Sequence, residues 1–474
     1  VVTGSGRLSF GNRLRGGARL VLDALRGRGT DLDTAPLSHA IVFLAVPMVL
    51  EMSMESVFAV VDIFFVSRLG AEAVAAVGLT ESLMAVIYTV AMGLSIGVTA
   101  TVARRIGEKN SEAAGVATGQ VLILGGSLAL VMGTAGAWFA PDLLRLMGAE
   151  ESVVATGVGY ARLMLGGNGV VLLLFLLNAA FRGAGDAAIA MRVLWIANIL
   201  NIVLDPLLIF GIGPFPEMGV TGAAAATLTG RGVAVGIQLA LLFGLGDRLR
   251  VAAAHLRPRV DVMARLVRLS ATGTFQVFVS TASWIGLVRV IAGFGSEALA
   301  GYTVAIRVVL FALLPAWGLA NAAATLVGQG LGAGRPERAE RAVWLAGGMN
   351  FVFLGSIGVL FLASAPGIVG LFGVDAVTSG FAVHGLRIIS AGFFFYGYGM
   401  VLTQAFNGAG DAWTPTWLNV GCFWAFEIPL AWVLAYEFGW GPDGVFVAMA
   451  MAFSLSAVVA AVLFRRGRWK TAVV

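Results

Sequence analysis

Long apolar runs separated by short polar or basic stretches dominate this chain, and runs of roughly 20 or more residues predict about twelve membrane-spanning helices. They begin near Leu37, Ala73, Gly115, Gly157, Ala187, Val220, Val262, Ala298, Val343, Ala382, Pro415 and Val445. The pattern is also written twice. LGAEAVAAVG (Leu69 to Gly78) matches FGSEALAGYT (Phe294 to Thr303), and FRGAGD (Phe181 to Asp186) matches FNGAGD (Phe406 to Asp411). Gly70 and Gly295, Glu72 and Glu297, Gly107 and Gly332, Pro141 and Pro366, and Asp186 and Asp411 all stand 225 residues apart. This register predicts an all-α polytopic membrane protein with two pseudo-symmetric six-helix lobes.

Composition agrees with lipid as the solvent. Of the 474 residues, 59% are hydrophobic and 12% charged, more apolar surface than a water-soluble core hides. The 64 glycines and 13 prolines predict close helix packing, with bends where proline frees a carbonyl.

Basic residues set the orientation. Arg7 to Arg28, then Arg104, Arg105 and Lys109, then Arg248 to Arg268, then Arg335, Arg338 and Arg341, and lastly Arg465 to Lys470 fall in every other loop. Those loops are expected to be cytoplasmic, with both termini inside. Six spans per half give the lobes one orientation, related by an axis along the membrane normal. The predicted organisation is a basic N-terminal segment (residues 1–36), a first lobe (37–245), a cytoplasmic linker (246–261), a second lobe (262–464) and a cytoplasmic tail (465–474). The basic loops account for the net charge of +5 without nucleic acid as a partner. The first 36 residues have no long apolar run and are not a secretory signal. Leu14 to Arg28 reads either as a basic amphipathic helix on the anionic inner surface or as disorder. The lone Cys422 excludes an internal disulfide. His39, His255 and His384 lack ligand spacing, so neither a structural metal nor a cofactor is expected.

Ionisable side chains in spans cost at least about 3 kcal/mol at the bilayer centre and mark candidate chemistry. Glu51, Glu55 and Asp62 in the first span stand at i, i+4 and i+11, within roughly 40° on one helix face. Asn198, Asn201 and Asp205 in the fifth span share a face at i, i+3, i+7 and precede Pro206. Two helices thus offer facing carboxylates, which hold one shared proton or one sodium ion at lower cost than two bare charges.

The repeat serves as an internal control. Adding 225 pairs Asp62 with Leu287, Tyr160 with Gly385, Asn178 with Thr403, Asn201 with Phe426, Asp205 with Leu430 and Thr227 with Ala452. What only folds a lobe belongs in both copies, as the glycines and GAGD turns do. The carboxylates lack counterparts, so the first lobe is expected to hold a buried acidic site and the second to lack one.

At these residues the chain resembles the multidrug and toxic compound extrusion (MATE) transporters. The resemblance runs from Pro47 to the last span and is carried by VDIFFVSRLG (Val61 to Gly70), GLSIGVTATVARRIG (Gly93 to Gly107), FRGAGD, NIVLDP (Asn201 to Pro206) and GVTGAAAAT (Gly219 to Thr227). It implies two lobes around a central cleft and export of organic cations and other amphipathic compounds by alternating access. It also implies a prokaryotic inner-membrane location and a monomer. The family's first-lobe cation network maps onto Asp62, Tyr160, Asn178, Asn201, Asp205 and Thr227, with a backbone contribution at Ala223. A sodium ion would sit at Asp62, Asp205, Asn201 and Thr227. Pro47 matches a proline associated with bending of the first helix. The acidic residues of the NorM-like branch are missing from TGTFQVFVSTASW (Thr272 to Trp284) and YGYGMVLTQAF (Tyr396 to Phe406), which favours the DinF-like branch. Glu51, Glu55, Glu427 and Gln276 are candidates for the substrate or cleft, and Arg289, Arg307 and Arg387 either line the cleft or snorkel. Two alternatives stay open: a lipid-linked precursor flippase, and an intramembrane prenyltransferase-like enzyme using Asn201 and Asp205 for magnesium and diphosphate.

Overall fold

The computed structural model describes residues 10–27, 32, 34–245 and 248–472. Arg7, Arg28, Gly246 and Asp247 lie outside the described residues. All regular elements among the described residues are helical. A surface helix α1 (Phe10–Arg26) precedes the bundle, so the amphipathic segment is a helix over that range. The first lobe comprises α2 (Leu37–Val66), α3 (Ala71–Gly107), α4 (Ser111–Leu146), α5 (Glu151–Gly166), α6 (Asn168–Gly183), α7 (Ala187–Phe210) and α8 (Val220–Ala240). The second comprises α9 (Val260–Ile291), α10 (Ser296–Gly332), α11 (Pro336–Gly370), α12 (Ala376–Ala391), α13 (Phe393–Ala409), α14 (Trp413–Asn419), α15 (Ile428–Trp432) and α16 (Pro442–Arg465). Among the described residues ten helices are long and apolar enough to cross a membrane, and the number is twelve when each of the bent pairs α5–α6 and α12–α13 is one span.

The 225-residue register appears as geometry. It relates the bounds of α3 and α10 and those of α5 and α12. Gly183 at the end of α6 lies against Thr99, and Gly408 at the end of α13 against Ala324, again 225 apart. The turn glycines Gly185 and Gly410 have φ of 85° and 88°, a left-handed backbone that favours glycine. The sharp bends are not at proline. Pro47, Pro141, Pro206, Pro315 and Pro366 lie inside uninterrupted helices, while the breaks of 40° and 58° fall at Gly167 and Gly392.

The basic segments gather at one end. Arg104 donates to the Ala472 carbonyl, Arg338 to the carbonyls of Leu32 and Ala35, and Lys470 pairs with Glu340. The linker docks there as well: Gln120 of α4 donates to the carbonyls of His255 and Arg257 and accepts from the Arg259 N–H. The lobes also meet in this half. Thr325 and Gln329 of α10 donate to the carbonyls of Arg182 and Gly183, and Gly318 of α10 lies against Met48 of α2. Ala40 to Met48 of α2 pack in one apolar core with α10 to α16, so the first helix is shared between lobes.

Between α3 and α9 a Cβ at Gly93 would stand 2.3 Å from the Thr274 Cα, a distance that forces the backbones apart. Gly93→Val is therefore expected to separate the lobes at this contact. Spin labels on α3 and α9 should report a longer distance in the variant, and an unchanged distance would show that the packing is not what sets lobe closure.

Candidate functional site

The predicted polar stripe of α2 faces its own lobe in three tiers. Nearest the basic end, Glu51 is 1% exposed and accepts from Arg182 Nη1 at 2.8 Å and from Asn178 Nδ2 at 3.2 Å, both on α6. Gln238 of α8 donates to Asn178 Oδ1 at 2.6 Å. In the middle, Glu55 accepts from Arg231 Nη2 of α8 at 3.0 Å and from Asn198 Nδ2 of α7 at 3.3 Å. In the third tier, Asn201 Nδ2 donates to Asp205 Oδ1 at 3.3 Å and to Thr227 Oγ1 at 3.0 Å. Asp62 is buried at this level and its charge acts on Asp205, while Tyr160 is buried within the field of both aspartates. Ala223 is fully buried on α8.

The tiers differ in chemistry. Each glutamate of the lower two has an arginine, the arrangement that makes a buried carboxylate tolerable. Buried acceptors without donors occur in the first tier, at Glu51 Oε2 and Gln238 Oε1 beside the Arg182 ion pair, and in the third, at Asp205 Oδ2 and Asn201 Oδ1, where no arginine pairs with the carboxylate. Acceptors without donors in an apolar bundle are satisfied by a proton, which turns a carboxylate into a donor, or by a small cation. Arg231 exerts a field on Asp62 without forming an ion pair with it, so the aspartates sit beside a fixed positive charge.

Several assignments change on this geometry. Asn178 belongs with Glu51, Arg182 and Gln238, two tiers away from Asp205. Glu51 is an ion-paired interior group and not a cleft carboxylate. Gln276 and Glu427 are 6% and 2% exposed, so both side chains are buried in this structure. Arg182 and Arg231 escaped the sequence reading; for Arg231 the spacing offered a hint, since Thr227, Arg231 and Gln238 stand at i, i+4, i+11 on α8, as Glu51, Glu55 and Asp62 do on α2. Glu81 of α3 was also missed. It is exposed, its charge reaches Asp62, and Arg307 of α10 in the other lobe acts on it. That places Arg307 where the lobes face each other.

The expectation that the second lobe lacks a buried acid is corrected by Glu427. The 225 offset does not persist through the eleventh span, which contains two π-helical stretches, Val420–Glu427 and Val433–Glu437, wider turns that shift the register. Beyond the first, Gly222 lies against Leu208 and Ile209 while Gly444 lies against Leu434 and Ala435, an offset of 226. Asn201 therefore corresponds to Glu427, not Phe426. The following loop is shorter in the second copy. Gly219 (φ 54°, ψ −138°) matches Gly441 (φ 59°, ψ −143°), so Thr227 corresponds to Met449 and not Ala452. Tyr160 and Gly385 remain equivalent, and the ring is supplied from the other side: Phe446 of α16 fills the space at Gly385.

Known proteins resemble this chain in sequence and fold. The chain is 27% identical over 418 residues, 87% of its length and 90% of the relative's, to the probable multidrug resistance protein YoeA of Bacillus subtilis. It is 28% identical over 342 residues, 72% of this chain and 76% of the relative, to the FAD transporter of Shewanella oneidensis. An outward-facing multidrug resistance MATE family transporter of the MOP superfamily superposes with a TM-score of 0.86 at 27% identity, covering 93% of this chain and 99% of that one. The MatE family profile matches residues 47–207 and again 274–433, one stretch in each lobe. With both lobes of its duplicated helical bundle matched in this way, the protein belongs to the MatE family.

Proposed function

We propose that this protein is a secondary multidrug efflux transporter that exports organic cations or amphipathic compounds in exchange for H⁺ or Na⁺ by alternating access. The observation that carries the coupling is the third tier: Asp205 and Asn201 present buried acceptors without donors beside Asp62. Family membership and the multidrug names of relatives support the export of drugs. The contacts of Thr325 and Gln329 with the end of α6 close the basic, cytoplasmic end, in keeping with likeness to an outward-facing transporter. The coupling ion enters from outside and binds at Asp62 and Asp205. It changes how α2 packs around Pro47, displaces the drug and favours the inward return. Each ligand needs only to prefer one state of the two lobes. The DinF-like branch, a monomeric inner-membrane carrier with both termini inside and no catalytic activity, completes the reading. A lipid-linked precursor flippase would call for further spans or a strongly cationic cavity, and the described residues supply at most twelve spans.

Reconstituted vesicles loaded with ethidium should lose dye when an inward proton gradient or an inward sodium gradient is imposed, and only one of the two should drive it. FAD belongs in the same assay, because one relative is named for it. Dye loss that ignores both gradients would refute antiport.

A further inference from the structure

Glu427 stands in a membrane-spanning helix, is 2% exposed and has no hydrogen bond or ion pair among the described residues. A bare carboxylate in that setting costs several kcal/mol. The side chains around it do not neutralise it. Tyr302 of α10 and Tyr396 of α13 are within reach of its charge, and Cys422 lies one π-helical turn earlier on its own helix. From α9 come the Val279 carbonyl, which accepts from Trp424, the uncharged Ser283, and Gly286 against Ile428. From α16 comes Phe453, stacked on Tyr396 at 4.0 Å and edge-on to Phe423. Among the described residues no lysine, arginine or second carboxylate acts on Glu427.

The Tyr302 hydroxyl is itself buried without a partner. With Glu427 at the position of Asn201, each lobe buries one polar cluster on its fifth helix, built from different residues. We propose that Glu427 is a proton-binding site of the second lobe, with Tyr302 and Tyr396 beside it, so that the carrier has a protonatable group in each lobe. A proton suits the site better than a metal ion. One carboxyl and two phenols among aromatic rings are a poor oxygen cage, and no metal-ligating group of three acidic, histidine or cysteine side chains exists among the described residues. The proposal goes beyond the first-lobe reading and does not depend on it.

Two measurements on the full-length protein in lipid nanodiscs test it. In infrared pH-difference spectra with ¹³C-labelled glutamate, a protonated glutamic-acid band should be present in wild type and absent from Glu427→Gln. It should persist in Asp62→Asn and Asp205→Asn, and shift in Tyr302→Phe, which removes one hydroxyl with no change of fold. A band unchanged in both Glu427→Gln and Tyr302→Phe overturns the site. Proton release on binding tetraphenylphosphonium in weak buffer should fall to about half in Glu427→Gln and about half in Asp205→Asn. Full release in Glu427→Gln overturns the second site and leaves the first-lobe reading standing. Full release in Asp205→Asn, with half in Glu427→Gln, does the reverse. Sodium displacement in place of proton release overturns the assignment to a proton.

Discussion

Asp205→Asn abolishes cation-driven export while the protein stays folded; this is the expected result with the largest functional effect. The substitution keeps the shape of the side chain and one carbonyl oxygen, so Asn201 retains the acceptor it now finds at 3.3 Å. What it removes is the charge that makes ion binding differ between states. If ion binding relieves a penalty of about 3 kcal/mol at the bilayer interior, its loss changes the population of the return state by about 100-fold. Ethidium export from vesicles should then fall to background under either gradient. Asp62→Asn should reduce export in the same direction. Export with wild-type cation dependence in both variants would remove the third tier from the mechanism.

Arg182→Met carries the largest expected loss of stability. Arg182 holds Glu51 at 2.8 Å, and the two side chains are 11% and 1% exposed. Removing the arginine leaves a buried carboxylate with Asn178 as its remaining donor, an imbalance that costs about 3–5 kcal/mol. Removing both charges does not. Glu51→Leu combined with Arg182→Met should recover most of that loss, since a buried pair replaced by apolar groups of similar volume is often near neutral. Thermal unfolding in detergent of the four proteins of this cycle measures the coupling. If the double variant is no more stable than Arg182→Met, the pair is not what stabilises this tier. The partial exposure of Glu55, 30% at the side chain, predicts a smaller loss for Arg231→Met.

The candidate coupling site was partly legible in the chain. The stripe on α2 and the Asn201 and Asp205 face on α7 followed from helical period, because residues at those spacings must share a face whatever they meet. Which helix they meet has no signature in one helix alone. Arg231 and Arg182 were overlooked for that reason: each reads as a stray charge until its carboxylate partner, 176 or 131 residues away, is brought within 3.0 or 2.8 Å. The same lack hid the separation of Asn178 from Asp205. Glu427 was misread through a different cause. A constant offset assumes constant residues per turn, and the π-helical stretches of the eleventh span break that assumption.

By itself the sequence determined a duplicated bundle of about twelve spans, the end at which the basic loops gather, and the helix faces that carry polarity. These follow from hydrophobic length, alternation of charge and helical period, all of which act along one segment. Tertiary structure alone decided which carboxylates are neutralised by arginine and which are not, and that the second lobe buries an acid of its own. Those outcomes depend on distances of about 3 Å between groups remote in the chain, set by how glycine-lined helices pack against one another.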